Sequence, residues 1–503
     1  MIPSKDKRTV TDSAASRQPN LLYIHSDQHS PFVLGCAGDP LVQTPHLDGL
    51  AARGVQCTNV YCPSPVCVPS RMSMLTGRYP SDNEVWTNNQ ILDAGIPTIA
   101  NAMGAAGYDP VLIGRMHSNG PDQLHGYVER PVGDHGSNWG GSGMAPGNFK
   151  ASVEAAGPGQ GAYQVHDEDV TAATVNYLDR LGVRKRAGLM SKPFSLSVGF
   201  MLPHSPYLAR RPIYEKYREN ITMPRVRQAF DKDLHPFLRW WREHCKLDET
   251  LPDEWILRAR AAYWALVDEM DQMIGRILAA LEANGLTDDT LIVYSSDHGE
   301  HAGDHDLWMK RTYYEESCRV PTILSWPGVL PEGQTCDRVM SALDLGATML
   351  DALNAPSLPH SPGRSALDLL RTGSGDWEDV AFSEYCLYEG VTQRMIRQDD
   401  WKLIYHHQQP PQLFNLKEDP LEESDRASDP SCRNTVSDLQ ARVLDGWDPD
   451  HVARRVQERR KEMEIIVQWA GQVDPPEQFN WERLPEMSWS ETLGETGPMS
   501  ISI

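Results

Sequence analysis

Four short apolar runs, each breaking off into polar residues, constrain the fold of this chain more than any other feature. They are NLLYIHSDQ from Asn20, DPVLIGRMH from Asp109, FSLSVGFMLPHSPY from Phe194 and TLIVYSSDHGE from Thr290. A continuous apolar run of that length reads as a strand buried on both faces, as parallel sheets require. Helical stretches lie between the runs. The clearest, DEWILRARAAYWALVDEMDQMIGRILAALEANG, sets Leu266, Met270, Met273, Ile274 and Ile277 on one face and stops at Asn284–Gly285, a good C-terminal signal. Strand alternating with helix predicts an α/β fold: a large, mostly parallel sheet sandwiched by helices. Such sheets bind ligands at the C-terminal ends of their strands, and all four polar clusters fall there.

After HSPGRSALDLLRTGSGDW the pattern changes. DVAFSEYCLYEG, VTQRMIRQDDWKLIYHH and QLFNLKEDP read as short antiparallel strands joined by turns. This predicts a disordered arm at 1–18, a catalytic α/β domain at 19–376 and a smaller C-terminal α+β domain at 377–503 with an antiparallel sheet. Asp448–Pro449 starts a charged helix that runs to about Gly471. The proline-rich end carries Trp481 and Trp489, which a free tail seldom needs. It is expected to pack on its own body or on a neighbouring subunit, and the chain to form a homo-oligomer, a dimer or tetramer.

The net charge of −22 over 503 residues argues against nucleic acid or an anionic membrane as the main partner, since both demand basic patches. A small anionic substrate answers to local charge and stays compatible. The first twenty residues contain no apolar core of a secretory signal, and no apolar run nears the roughly 18 residues of a membrane helix, so a cytoplasmic protein is expected. Nine cysteines, an odd and scattered count, fit reduced thiols. Cys57, Cys62 and Cys67 cluster, which raises a metal knuckle as a rival, although their spacing is not a usual zinc pattern.

In PVCVPSRMSMLTGRYP, Cys67 stands two places before a helix-starting proline, with Ser70 and Arg71 behind it. That order places either a structural thiol beside a cap or a nucleophile at a helix N-terminus, where an anion is welcome. Asp27–Gln28 and Asp297–His298 end two of the apolar runs, and together they offer the donors of a divalent cation. Arg71, Arg115 and Lys310 supply positive charge for an oxyanion, while His117 and His204 can move protons near neutral pH. Taken singly, each of these residues reads as a cap, a structural histidine or a solvated lysine. Groups of this kind at four strand ends read as one site.

CVPSRMSMLTG resembles the sulfatase signature, and the resemblance runs on through SDQ, GRMH, PHSPY and SDHGEHAGDHDLWMKRTYYEESCRVP to cover the chain from Asn20. GRMHSNGPDQLHGY is most similar to choline sulfatases. The family implies the alkaline-phosphatase-like sulfatase fold and oxidation of Cys67 to formylglycine by a maturation enzyme. One hydroxyl of the hydrated aldehyde then attacks sulfur, and the other expels sulfate. Carried over by position, Asp27, Gln28, Asp297, His298 and matured Cys67 bind the cation, with calcium first and manganese or magnesium as alternatives. Arg71 holds the diol, His117 deprotonates its second hydroxyl, and His204 and Lys310 contact the sulfate, with His204 as proton donor. Arg115 departs from the family, which usually has lysine there; it reads either as a sulfate ligand or as a surface arginine paired with Asp122. Asn88, Asn89 and Trp139 are candidate pocket wall. The expected substrate is a small alkyl or aryl sulfate monoester of the choline sulfate or arylsulfate type. The alternatives are a phosphonate monoester or phosphodiester hydrolase and, more remotely, a catalytically silent binding protein.

Overall fold

The computed structural model describes residues 18–136, 138–139 and 148–496, so the expected N-terminal arm lies outside the described residues up to position 17. Seven strands form the main sheet: β1 (Asn20–Asp27), β2 (Val55–Tyr61), β3 (Pro110–Gly114), β4 (Ser195–Pro203), β5 (Thr290–Ser296), β6 (Arg319–Ser325) and β7 (Gln334–Ser341). Their order is β3-β4-β1-β5-β6-β2-β7. Only β6 runs against its neighbours β5 and β2. The four apolar runs are β3, β4, β1 and β5, which are adjacent and parallel, so their C-terminal ends form one continuous rim. Every residue of these four strands is buried.

The sequence reading did not find β2, β6 or β7. β6 contains a proline, and β7 is an edge strand whose first half faces solvent, so neither carries an unbroken apolar signal.

Three helices matter for the site: α1 (Cys67–Thr76), α2 (Ala162–Arg186) and α3 (Asp253–Ala283). α3 buries Leu266, Met270, Met273, Ile274 and Ile277, the face read from the sequence, and is capped at Asn284.

A second, antiparallel sheet follows, from Val380–Cys386 through Thr392–Gln398 and Trp401–His406 to Gln412–Asn415. Its joint with the main body is polar and buried: Lys402 Nζ donates to Tyr313 O at 2.6 Å and to Glu315 Oε1 at 2.9 Å. Burial opposes the ammonium, but Glu315 and Glu422 hold its pKa well above the usual lysine value. The charged helix α4 spans Pro449–Val473, with Asp448 capping its first turn. Beyond it the chain returns to the main body, where Trp489–Ser490 pairs with Gly157–Gln160. Among the described residues no helix is long and apolar enough to cross a membrane.

Candidate active site

α1 starts at Cys67 because Val66 is extended and Asn88 Oδ1 accepts from Val68 N at 3.0 Å, satisfying one of the orphan donors of the first turn. The helix stops at Gly77, in the left-handed region at φ 66°. The Cys67 thiol is 1% exposed and lies 3.1 Å from His298 Nε2 and 3.8 Å from Asp27 Oδ1. β1 and β5 pair in register at Ser26–Ser296, which sets Asp27 beside Asp297.

Arg71, one helical turn after Cys67, bridges these carboxylates. Its Nε donates to Asp297 Oδ2 at 2.9 Å, Nη2 to Asp27 Oδ2 at 3.2 Å and Nη1 to His25 Nδ1 at 2.7 Å. Gln28 turns at φ 68°, and its backbone N donates to Asp297 Oδ1 at 3.0 Å. Its side-chain Nε2 donates to Glu300 Oε2 at 2.5 Å, while its Oε1 accepts from Lys310. Glu300 also accepts from Tyr207 Oη, Ala302 N and Met309 N.

Asp27, Cys67, Asp297 and His298 present ligand atoms that all lie within 4.8 Å of one another. His298 Nδ1 faces the carbonyl of Gly299 at 3.1 Å and must carry the proton, so the Nε2 lone pair points into the group. Burial pushes His298 down to about 4, which keeps the ring neutral. Two carboxylates, a neutral imidazole and the nearby Gln28 carbonyl suit a divalent cation. Cys57 and Cys62 do not join the group; Cys57 instead faces Cys336 across β2 and β7, so the zinc-knuckle alternative does not hold among the described residues.

Arg115, which follows the end of β3, is buried. Its Nε donates to Asp27 Oδ2 at 2.5 Å, Nη1 to Asp134 Oδ1 at 3.4 Å and Nη2 to His117 Nδ1 at 2.8 Å. The surface pairing with Asp122 is therefore corrected: Asp122 caps the backbone of Leu124 and His125, because burying the guanidinium demands carboxylates inside the site. Burial raises the Asp27 carboxyl, yet Arg115, His204 and Arg71 outweigh it and hold its pKa well below the usual range. His117 is pushed well down by burial and by Arg115. His204, which follows β4, is lowered by burial and then by Lys310, whose Nζ lies 2.8 Å from its Nε2. His204 Nδ1 donates to Ser205 O at 2.6 Å.

All the catalytic and metal candidates read from the sequence thus meet at one rim. Among the candidate wall residues, Asn88 caps α1, Asn89 follows it, and Trp139 packs edge-on against Trp469 with ring centroids 5.1 Å apart. Sequence reasoning missed His25, Glu300 and Asp134. The first and second sit inside motifs already quoted, whereas Asp134 stands in a glycine-rich loop with no chemical signal of its own.

A buried cation-donor group ringed by Arg71, Arg115 and Lys310 at the strand ends of an α/β sheet is the site of an enzyme for small anions. The family model described as Sulfatase matches residues 19–355, and that of the N-sulphoglucosamine sulphohydrolase C-terminal region matches residues 303–447. The chain belongs to the sulfatase family, whose members in general use a metal ion and a formylglycine-type modification. It is 30% identical over 464 residues to a choline-sulfatase of Rhizobium meliloti, covering 88% of this chain and 90% of the relative. It is 29% identical over 500 residues to the multifunctional alkaline phosphatase superfamily protein PehA of Trinickia caryophylli, covering 86% and 96%. The phosphonate monoester hydrolase of Agrobacterium radiobacter shares the fold, with a TM-score of 0.71 at 23% identity over 85% of this chain and 95% of that one.

Proposed function

We propose that this sulfatase hydrolyses small alkyl or aryl sulfate monoesters of the choline sulfate type, with Cys67 as its nucleophile after oxidation to formylglycine. The observation that carries the reading is the place of the Cys67 thiol: in the first turn of a helix, among Asp27, Asp297 and His298, with Arg71, Arg115 and Lys310 close by. The likeness to choline-sulfatase supports the ester class. Matured Cys67 supplies an aldehyde hydrate as nucleophile. A divalent cation held by Asp27, Gln28, Asp297 and His298 supplies Lewis-acid polarisation; calcium is proposed, with manganese and magnesium as alternatives.

The side chains divide the remaining work. Arg71 holds Asp27 and Asp297 in place through Nη2 and Nε. Lys310 bonds a sulfate oxygen and holds the proton for the leaving oxygen. His204 donates from Nδ1 to Ser205 O and its Nε2 accepts from Lys310, so His204 orients the Lys310 Nζ, and Lys310 takes the proton-donor role that the sequence reading gave to His204. Arg115 donates to His117 Nδ1. When Arg115 turns that nitrogen to a bound sulfate, His117 Nδ1 becomes free to accept a proton, which couples substrate binding to the base.

Intact-mass analysis of Cys67 followed by a panel of sulfate, phosphonate and phosphodiester esters is the test. Hydrolysis of phosphonate monoesters or phosphodiesters at the same site is the second reading, supported by the likeness to PehA and to the phosphonate hydrolase fold. A phosphonate kcat/KM above that of every sulfate ester makes it the correct one. Mass-verified, matured protein without turnover on any of these esters leaves the silent binding protein.

The proposed partners are a small sulfate ester and a formylglycine-generating enzyme, with neither nucleic acid nor membrane. The eight cysteines other than Cys67, all unpaired, support a cytoplasmic setting. Exposed Ile465, Trp469 and Val473 on α4 support a homo-oligomer.

A further inference from the structure

Asp134 organises the end of β3 from outside the strand. Its Oδ2 accepts from Met116 N at 3.1 Å, from His117 N at 2.6 Å and from Arg130 Nη2 at 2.6 Å, and its Oδ1 faces Arg115 Nη1 at 3.4 Å. One buried carboxylate thus fixes both the backbone that carries His117 and the guanidinium that reaches Asp27. The described residues of its loop, 131–136 and 138–139, belong to no strand or helix, and they take support from elsewhere in the chain.

That support comes from more than three hundred residues away. After α4 ends at Asp474 in the left-handed region, the chain lies across this loop. Trp481 N donates to Asp134 O at 2.7 Å. Asn138 N donates to Glu477 Oε2 at 2.7 Å, and Gln478 N donates back to Asn138 Oδ1 at 2.7 Å. The Phe479 carbonyl lies so close to Gly133 that a Cβ there would fall 1.4 Å from its oxygen, so only glycine admits the crossing. The Trp481 ring stands edge-on to His166 at 5.2 Å and donates from Nε1 to Asp169 Oδ2 at 2.9 Å. His166 in turn contacts Gly133 O at 2.9 Å and Asp167 Oδ1 at 2.8 Å. Asp167 accepts from Met201 N and Leu202 N, in the last part of β4 that leads to His204.

We infer that residues 477–481 are a strap that seats Asp134, and that Asp134 is the positioning residue for Arg115 and His117. The C-terminal segment is then a working part of the site. This inference rests on the sulfate ester reading for its activity readout, though its geometry does not depend on it.

Gly133→Ala lifts the strap without altering any group near Cys67, and Trp481→Ala removes its anchor. Each is expected to lower kcat/KM on a sulfate ester about tenfold or more, mostly in kcat, because a displacement on the order of 1 Å near the chemistry is enough. Trp481→Phe keeps the backbone bond and the ring contact with His166 and should restore most of the activity. Hydrogen exchange on the full-length protein should show lost protection at the Met116 and His117 amides in Gly133→Ala and Trp481→Ala, but not in Trp481→Phe. Activity within twofold of the parent in both disrupting variants overturns the strap. A loss of activity with Met116 and His117 still protected overturns the positioning role and leaves a general packing effect. If the parent itself hydrolyses no ester, the proposed function fails, and the exchange measurement alone decides the inference.

Discussion

Arg115 Nε and Asp27 Oδ2 meet at 2.5 Å inside the site, so the arginine that departs from the family pattern is tied to a proposed metal ligand. Asp27 also accepts from Arg71 at 3.2 Å, and the two guanidiniums keep its carboxylate ionised in a buried place. Asp134 holds the far side of the Arg115 fork. The guanidinium therefore links ligand, base and loop.

Arg115→Ala is expected to remove roughly 2–4 kcal/mol of transition-state stabilisation, the scale of one oxyanion donor. That is on the order of a hundredfold or more in kcat/KM. Arg115→Lys should recover part of the loss, since the charge returns without the planar fork that reaches Asp27, Asp134 and His117 together. Steady-state kinetics with Cys67 maturation confirmed by mass is the check. Values within a few-fold of the parent for Arg115→Ala would exclude a role in the transferring step.

Activity should track the aldehyde at Cys67. Protein made with a maturation enzyme should carry the modification in proportion to its turnover, and Cys67→Ala should be inactive while folding normally. Aldehyde labelling with peptide mass mapping measures both. A fully active sample with an unmodified thiol contradicts the nucleophile proposed here.

Chelation should abolish turnover and lower the melting temperature, because Asp27 and Asp297 then face each other with less positive charge between them. Asp297→Asn should cost several orders of magnitude in kcat, as it removes a ligand and an Arg71 partner at once. His298→Ala should weaken metal affinity while leaving the sheet intact. Calorimetric titration of the stripped protein with calcium, manganese and magnesium gives the order of affinity. Unchanged activity after verified metal removal would falsify cation-assisted attack.

Asp271, outside the cation-donor group, supplies a pH dependence of its own. It accepts from His46 N at 3.1 Å and Leu47 N at 2.8 Å, and burial pushes its carboxyl from the usual 3.8 up to about 7. Between those two values the folded chain keeps a proton that the unfolded chain releases, so stability falls as pH rises. The slope is at most about 1.4 kcal/mol per pH unit. Asp271→Asn cannot titrate, so its stability relative to the parent should improve from pH 4 to pH 7. Melting temperatures of both proteins at several pH values across that window test this; parallel curves contradict it.

The sequence by itself determined the sheet's centre and the chemistry at its rim. β1, β3, β4 and β5 are long enough and apolar enough to be buried on both faces, and that burial makes them legible without any partner. The polar residues that end them, Asp27, Gln28, Arg115, His117, His204, Asp297 and His298, follow directly, because strand ends in such a sheet face one rim. Tertiary structure alone decided who holds these residues. Arg115 carries no mark of its partners, since a buried guanidinium takes whatever carboxylates packing brings to it, here Asp27 and Asp134. Edge strand β7 and proline-bearing β6 gain their conformation from neighbours rather than from their own periodicity. Trp481 announces only that the tail must pack; its seat against Asp134 depends on Gly133 leaving room for the Phe479 carbonyl, a relation between residues more than three hundred positions apart. Local apolar pattern is written along the chain, whereas long-range hydrogen bonds and close backbone approaches exist only once the chain has closed on itself.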